Sequence, residues 1–235
     1  MASSAPEPPR ADPRGAVERP VRDPEDGTGR EADARPVVPA LVGPTASGKS
    51  AAAVLLAEEL GLEVVSADAM QVYRGLDIGT AKPNAEEQRR VRHHLIDVVD
   101  PDERFSVARY VELAEQAIAD VLARGRVPLV VGGTGFYLRA LREGVPTAPE
   151  ADPVRQAPLW RAVEEGRLDE LVAELAAASP ADAERAARNP RRVVRSLEVL
   201  RATGMPPSAF PYTEPRFRYV VFVLDPPPTE LRRRI

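Results

Sequence analysis

Three side chains, Lys49, Ser50 and Asp68, have the types and surroundings that polyphosphate chemistry requires. The first two close the stretch Gly43-Pro44-Thr45-Ala46-Ser47-Gly48-Lys49-Ser50, which fits the phosphate-loop pattern G-x-x-x-x-G-K-[ST]. Its glycines let the backbone fold around an anion, and successive amides and a helix N-terminus point at it. Lys49 adds a charge, and Ser50 is placed to ligate Mg²⁺. Such a pattern also arises in ordinary loops, so the flanks matter. The apolar run Val37–Val42 before it predicts a buried strand, and Ala51–Leu60 after it predicts a helix closed by Gly61.

Asp68 follows a second predicted strand, Leu62–Ser66, and so stands at the strand's C-terminal end, on the edge where doubly wound sheets bind ligands. It opens Asp68-Ala69-Met70-Gln71-Val72-Tyr73-Arg74-Gly75, with Asp77-Ile78-Gly79-Thr80-Ala81-Lys82-Pro83 close behind. Two readings of this stretch stand: a pocket that accepts a proton and hydrogen-bonds a base or amide edge, or a polar capping loop. Gly132-Gly133-Thr134-Gly135-Phe136-Tyr137, after the strand predicted at Val127–Val131, also has two. It does not fit the dinucleotide fingerprint. Its glycines allow close backbone approach and Thr134 can face a phosphate or acceptor, but a tight turn without a ligand has the same sequence.

A third cluster is cationic. On a helix at ~100° per residue, Arg188, Arg191, Arg192 and Arg195 gather within about a third of the circumference, opposite Val193, Leu197 and Leu200. Taken alone the strip reads as solvated surface; beside an anion site, a nucleic-acid backbone becomes the better partner.

The elements that must hold these groups alternate strand with helix. Strands are predicted at Val37–Val42, Leu62–Ser66, Leu95–Val98, Val127–Val131 and Tyr219–Leu224. A helix begins after Ser106 as N-cap and carries Val107, Tyr110, Val111, Ala114, Ile118, Val121 and Leu122 on one face. The fold class expected is α/β: a phosphate-loop NTPase-like, mostly parallel sheet flanked by helices, with a helical insertion. Residues 37–147 and 204–235 form the core, and 148–203 form the insertion, with helices around Trp160, Leu171–Ala177 and Val193–Leu200. The last residues, Leu231 to Ile235, read as the first turns of another helix, so a chain longer than this one is expected for the complete fold.

The 235 residues are 43% hydrophobic, enough for a real core, and contain no cysteine, which excludes a disulfide framework and thiolate metal sites. The adjacent histidines, His93 and His94, make a poor chelating pair. Residues 1–36 hold seven prolines and six arginines against eight acids, a composition expected to form a disordered tail. The tail contributes −2 of the net −4, so net charge does not argue for nucleic-acid binding. No apolar run has transmembrane length and no secretory signal opens the chain; a cytoplasmic protein with no membrane partner is expected.

Taken together, GPTASGKS, DAMQVYRGLDIGTAKP, HHLID (His93–Asp97), FSVARY (Phe105–Tyr110), GGTGFY and NPRRVVRSLEV resemble the tRNA dimethylallyltransferase, or tRNA isopentenyltransferase, family over the chain from about Val37 onward. The resemblance implies transfer of the prenyl group of dimethylallyl diphosphate to the exocyclic amine of the adenosine 3′ of the anticodon. It implies that Gly43, Pro44, Thr45, Ala46, Ser47, Gly48, Lys49 and Ser50 hold the diphosphate, with Mg²⁺ on Ser50. Asp68 would be the general base, with Lys49 and Thr134 also catalytic. Asp68, Ala69, Met70, Gln71, Thr134, Arg155, Arg191, Arg192 and Arg195 would contact the anticodon stem-loop, Gln71 reading the adenine. The target base would be extruded from its loop, and the protein would work as a monomer. Three departures from the family pattern stand out: Ala69 where serine is usual, Ser179-Pro180 where aspartate-proline is usual, and the absent C-terminal part. Alternative readings are an adenylate isopentenyltransferase acting on a free nucleotide, a phosphate-loop small-molecule kinase, and a non-catalytic RNA-binding fragment.

Overall fold

The computed structural model describes residues 33–234. The tail expected over 1–36 therefore lies, up to residue 32, outside the described residues. Everything below concerns the compact unit Arg35–Ile235.

Apolar runs of five or six residues become β1 (Val37–Val42), β2 (Leu62–Ser66), β4 (Val127–Gly132) and β5 (Arg218–Val223), joined by the two-residue β3 (His93–His94). They form one sheet in the order β3-β2-β4-β1-β5, with every pairing parallel. Side chains alternate across the sheet because successive Cβ atoms point to opposite faces. Leu41, Val64, Leu129 and Val131 therefore pack on α1 (Lys49–Leu60), through its Ala53, Val54 and Ala57. Val38, Ala40, Val65 and Val130 pack on the other face against α3 (Val107–Ala123) and α4 (Gly135–Glu143). Tyr110 of α3 and Tyr137 of α4 stack with ring centres 3.9 Å apart. The predicted stripe of α3 is core, and Ser106 caps the helix by accepting from the Arg109 amide at 3.2 Å.

One strand differs from expectation. Pairing with β2 occurs at His93 and His94, not over Leu95–Val98. Leu95 and Asp97 take left-handed backbone conformations, φ 63° and 56°, which end an extended strand. Leu95 is buried from this bend, and Ile96 and Val98 are partly buried. Between β2 and β3 lies α2 (Ala85–Arg90), a charged helix without buried residues, fixed by a reciprocal capping box between Asn84 and Glu87.

The insertion consists of α5 (Pro153–Glu164), α6 (Leu168–Ala178), α7 (Pro180–Ala186) and α8 (Pro190–Thr203). It has its own core of Leu159, Leu171, Leu175, Val193, Val194 and Leu197. Its stem closes where Thr147 N donates to Pro211 O and Thr213 N to Val145 O, both at 2.9 Å. After β5 the chain enters α9 (Pro228–Arg234).

Candidate active site

Because β2, β4 and β1 are neighbours and parallel, the loops that leave their C-terminal ends meet at one sheet edge. The loop after β1 is the phosphate loop. Gly48 (φ 88°) is the N-cap of α1, so Lys49 and Ser50 begin the helix and its free amides face the loop. Ser47 N donates to Pro44 O at 3.2 Å, and Lys49 Nζ curls back to the same carbonyl at 3.2 Å. The Ser47 hydroxyl is buried and has no hydrogen-bond partner. Arg234, from α9, donates to Ala46 O at 3.3 Å.

The loop after β4 approaches closely: a Cβ at Gly132 would lie 2.1 Å from Ala67 O, and one at Gly133 would lie 3.5 Å from Lys49 Nζ. Glycine at 132 is thus required by backbone contact with the loop after β2. Thr134 fastens the same two loops, donating its N–H to Ala67 O at 3.3 Å and accepting from Ala69 N at 3.1 Å. Asp68 stands between them. Its Oδ1 accepts from the amides of Met70 (2.9 Å) and Gln71 (3.3 Å), Oδ2 is left unengaged, and the residue lines a cavity. One cavity is lined by Lys49, Ser50, Asp68, Gln71, Glu87, His93 and Gly132. Gly132 also borders a more apolar slot formed by Val42, Pro44, Ala67, Thr134 and Leu138.

Gln71 is buried, and its amide serves the loop: Nε2 donates to Thr80 O (3.2 Å) and Ala81 O (3.0 Å), while Oε1 accepts from Ser66 Oγ (3.0 Å). Both amide protons are used, so what Gln71 retains for a ligand is the second lone pair of Oε1. Met70 and Ala69 supply backbone here, and the Met70 side chain is exposed.

Several groups at the site were not singled out by sequence reasoning. His93 holds Nδ1 against Val91 O at 2.8 Å and lines the cavity. Burial pushes its pKa down, outweighing the opposing bond to Val91, which favours the neutral ring. Tyr137 has its pKa pushed up to about 12, first by burial and then by Tyr73 and Asp68, so it remains a phenol. Lys82 is enclosed by carboxylates. Burial of the ammonium opposes its charge, but hydrogen bonds to Asp77 and Asp97 prevail and raise its pKa. HHLID and GTAKP are visible as motifs, yet only the fold brings His93 and Lys49 to one cavity and Asp97 beside Lys82.

The cationic strip is less uniform than the helical wheel suggests. Arg188 lies before the helix, in a left-handed conformation (φ 55°), and pairs with Asp169. Arg195 is committed internally: it binds Glu198 at 2.8 Å and the Pro149 carbonyl. Glu198 is buried and also accepts from Asp152 N and Gln156 Nε2. Arg191 and Arg192 stay exposed, Arg192 donating to Arg185 O at 3.2 Å. Both line a broad cleft with Phe136, Arg139, Arg195 and Tyr212. Arg155 is exposed on α5, 3.3 Å from Asp152. Among the described residues no helix is long and apolar enough to cross a membrane.

A phosphate loop that shares one parallel-sheet edge with an aspartate-bearing loop defines a phosphate-loop α/β protein. Residues 71–235 match the IPP transferase family, and the chain belongs to that family. It is 60% identical over 189 residues to the tRNA dimethylallyltransferase of Thermus thermophilus, covering 80% of this chain and 63% of that protein. With the Deinococcus radiodurans enzyme of the same name it shares 55% over 202 residues, covering 86% and 66%. Among solved structures it resembles the full-length tRNA isopentenylpyrophosphate transferase of Bacillus halodurans (40% identity, TM-score 0.54, 85% of this chain and 63% of that one). It also resembles a eukaryotic dimethylallyltransferase acting on tRNA (30% identity, TM-score 0.69, 85% and 50%). The chain thus spans 63% and 66% of the length of the two curated relatives.

Proposed function

We propose that this protein transfers the dimethylallyl group of dimethylallyl diphosphate to the exocyclic amine of the adenosine 3′ of the anticodon in tRNA. The observation that carries the reading is the meeting of the Lys49 loop with Asp68 and Thr134 at one sheet edge, in a chain whose relatives are named tRNA dimethylallyltransferase. The amides of residues 43–50 and Lys49 hold the diphosphate and stabilise the negative charge that develops as it leaves. Asp68 Oδ2 takes the amine proton while nitrogen forms a bond to the primary carbon and the carbon–oxygen bond to diphosphate breaks. The apolar slot beside Thr134 suits the five-carbon chain, and the free lone pair of Gln71 Oε1 suits an adenine amine.

Mg²⁺ fits the site: Ser50, which carries a hydroxyl, lines the cavity together with Lys49 and Asp68, and this ion characteristically combines one or two protein oxygens with substrate phosphates and water. When bound there it neutralises diphosphate charge. Arg155, Arg191, Arg192 and Arg195 face the RNA in this reading, with Arg195 acting mainly through its hold on Glu198. The exposed rings of Phe136 and Tyr212 offer faces on which unpaired bases stack. An anticodon loop is a suitable substrate because its bases are unpaired and extrude at lower cost. The protein is proposed to act as a cytoplasmic monomer. Incubation with labelled dimethylallyl diphosphate and either tRNA or AMP tests the reading: label in tRNA alone supports it, and label in AMP alone makes the protein an adenylate isopentenyltransferase.

A further inference from the structure

Lys82 occupies an unusual position for a lysine. Its side chain is 3% exposed, and its three donors are all used: Asp77 Oδ1 at 2.6 Å, Asp97 Oδ1 at 2.7 Å and Tyr73 O at 2.8 Å. Each acceptor lies on a different piece of backbone. Tyr73 belongs to the loop that begins at Asp68, Asp77 to the next turn, and Asp97 to the left-handed turn after β3. The segments are stitched together beside the ammonium. Asp97 N donates to Gln71 O at 3.2 Å, Val98 N to Val72 O at 2.8 Å, and Arg74 N to Val99 O at 2.9 Å.

The residues immediately before Lys82 complete the connection to the site. Thr80 and Ala81 present the two carbonyls that receive the Gln71 carboxamide, and the Gln71 amide is one of the two donors that fix Asp68 Oδ1. Resting on the reading above, we infer that Lys82 is a positioning residue: it clamps the acceptor loop so that Asp68 and Gln71 hold the orientation prenyl transfer requires. A buried, hydrogen-bonded cation at the crossing of three segments stiffens all of them at once, which no contact on the solvent side of the loop would do. The diphosphate site, built on β1 and α1, lies outside the clamp.

The test uses Lys82→Met, Asp97→Asn, and the triple variant Lys82→Met/Asp77→Asn/Asp97→Asn. The triple variant removes the ion pairs without leaving a carboxylate unpaired, so it folds even where the single lysine change does not. Two readouts are taken well below each variant's melting temperature. In hydrogen–deuterium exchange, the Met70 and Gln71 amides should exchange at least ~10-fold faster than in the parent, while the amides of α1 are unchanged. In prenyl transfer to tRNA, kcat should fall at least ~10-fold with the KM for dimethylallyl diphosphate unchanged. Folded variants that keep the parent's amide protection, or its kcat, overturn the clamp. A parent that transfers no label to tRNA instead overturns the proposed function, and the exchange experiment still decides on the clamp.

Discussion

At the scale of single residues, the proposed reaction divides the site into groups that would act on the leaving diphosphate and groups that would act on the amine. Lys49→Ala removes the ammonium that bonds Pro44 O in the phosphate loop and approaches Gly133, so prenyl transfer should become undetectable while the fold, measured by circular dichroism, is kept. Near-parental turnover would sink the assignment. Asp68→Asn preserves shape and still accepts from the Met70 and Gln71 amides, but it loses the base. The rate should fall at least ~100-fold, the lower end of general-base contributions, with tRNA affinity little changed; a parallel loss of affinity would make Asp68 a binding residue. These two positions were legible in the sequence because the phosphate loop is a contiguous pattern and Asp68 follows a strand. His93 and Lys82 were not, because the cavity that His93 shares with Lys49 and the pairing of Lys82 with Asp97 join segments that only the sheet order and the turn after β3 bring near. Gln71 was found, but its amide proved to be largely engaged within its own loop.

The elements were legible in proportion to how strongly periodicity spoke. The strands β1, β2, β4 and β5 and the helix α3 carry clear apolar patterns and lie where these predict, within a residue or two. The strand expected over Leu95–Val98 is a turn because an apolar run records burial and not backbone conformation. The seven-residue α7 is too short for periodicity and was not expected; in the structure Ser179 caps it by accepting from Asp182 N ahead of Pro180. Between α5 and α8 the decisive element contact is Glu198, whose pKa is lowered. Burial opposes this, but the bonds from Asp152 N, Gln156 and Arg195 win. A carboxylate depressed in the folded state stabilises fully above its ordinary value of 4.5, and that contribution is lost as pH falls through the lower folded value. Glu198→Gln should therefore lower the melting temperature at neutral pH. It should also shrink the drop in melting temperature between neutral pH and about pH 3. An unchanged drop would show that Glu198 does not titrate with folding.

For the molecule as a whole, the sheet core and the insertion core are separate clusters joined at the stem, and the cleft between α4 and α8 is where a ligand larger than a nucleotide can meet both. Its arginines divide by partner. Arg195 is held by Glu198 and Pro149, whereas Arg191 and Arg192 extend from the first turn of α8, which Asn189 caps by accepting both of their amides. If the exposed pair contacts RNA phosphates, each lost contact should flatten the slope of log affinity against log salt by ~0.7 for a single strand. Arg191→Gln/Arg192→Gln should then reduce the slope by roughly 1.4, weakening tRNA binding strongly at low salt and little at high salt, with donor binding intact. Arg195→Gln should behave differently, lowering the melting temperature by taking the cation away from buried Glu198 while changing the salt slope less. Titration of tRNA at several salt concentrations with both variants separates the two roles. A parental slope in the double variant would make Arg191 and Arg192 solvated surface and move the RNA contact to another part of the cleft.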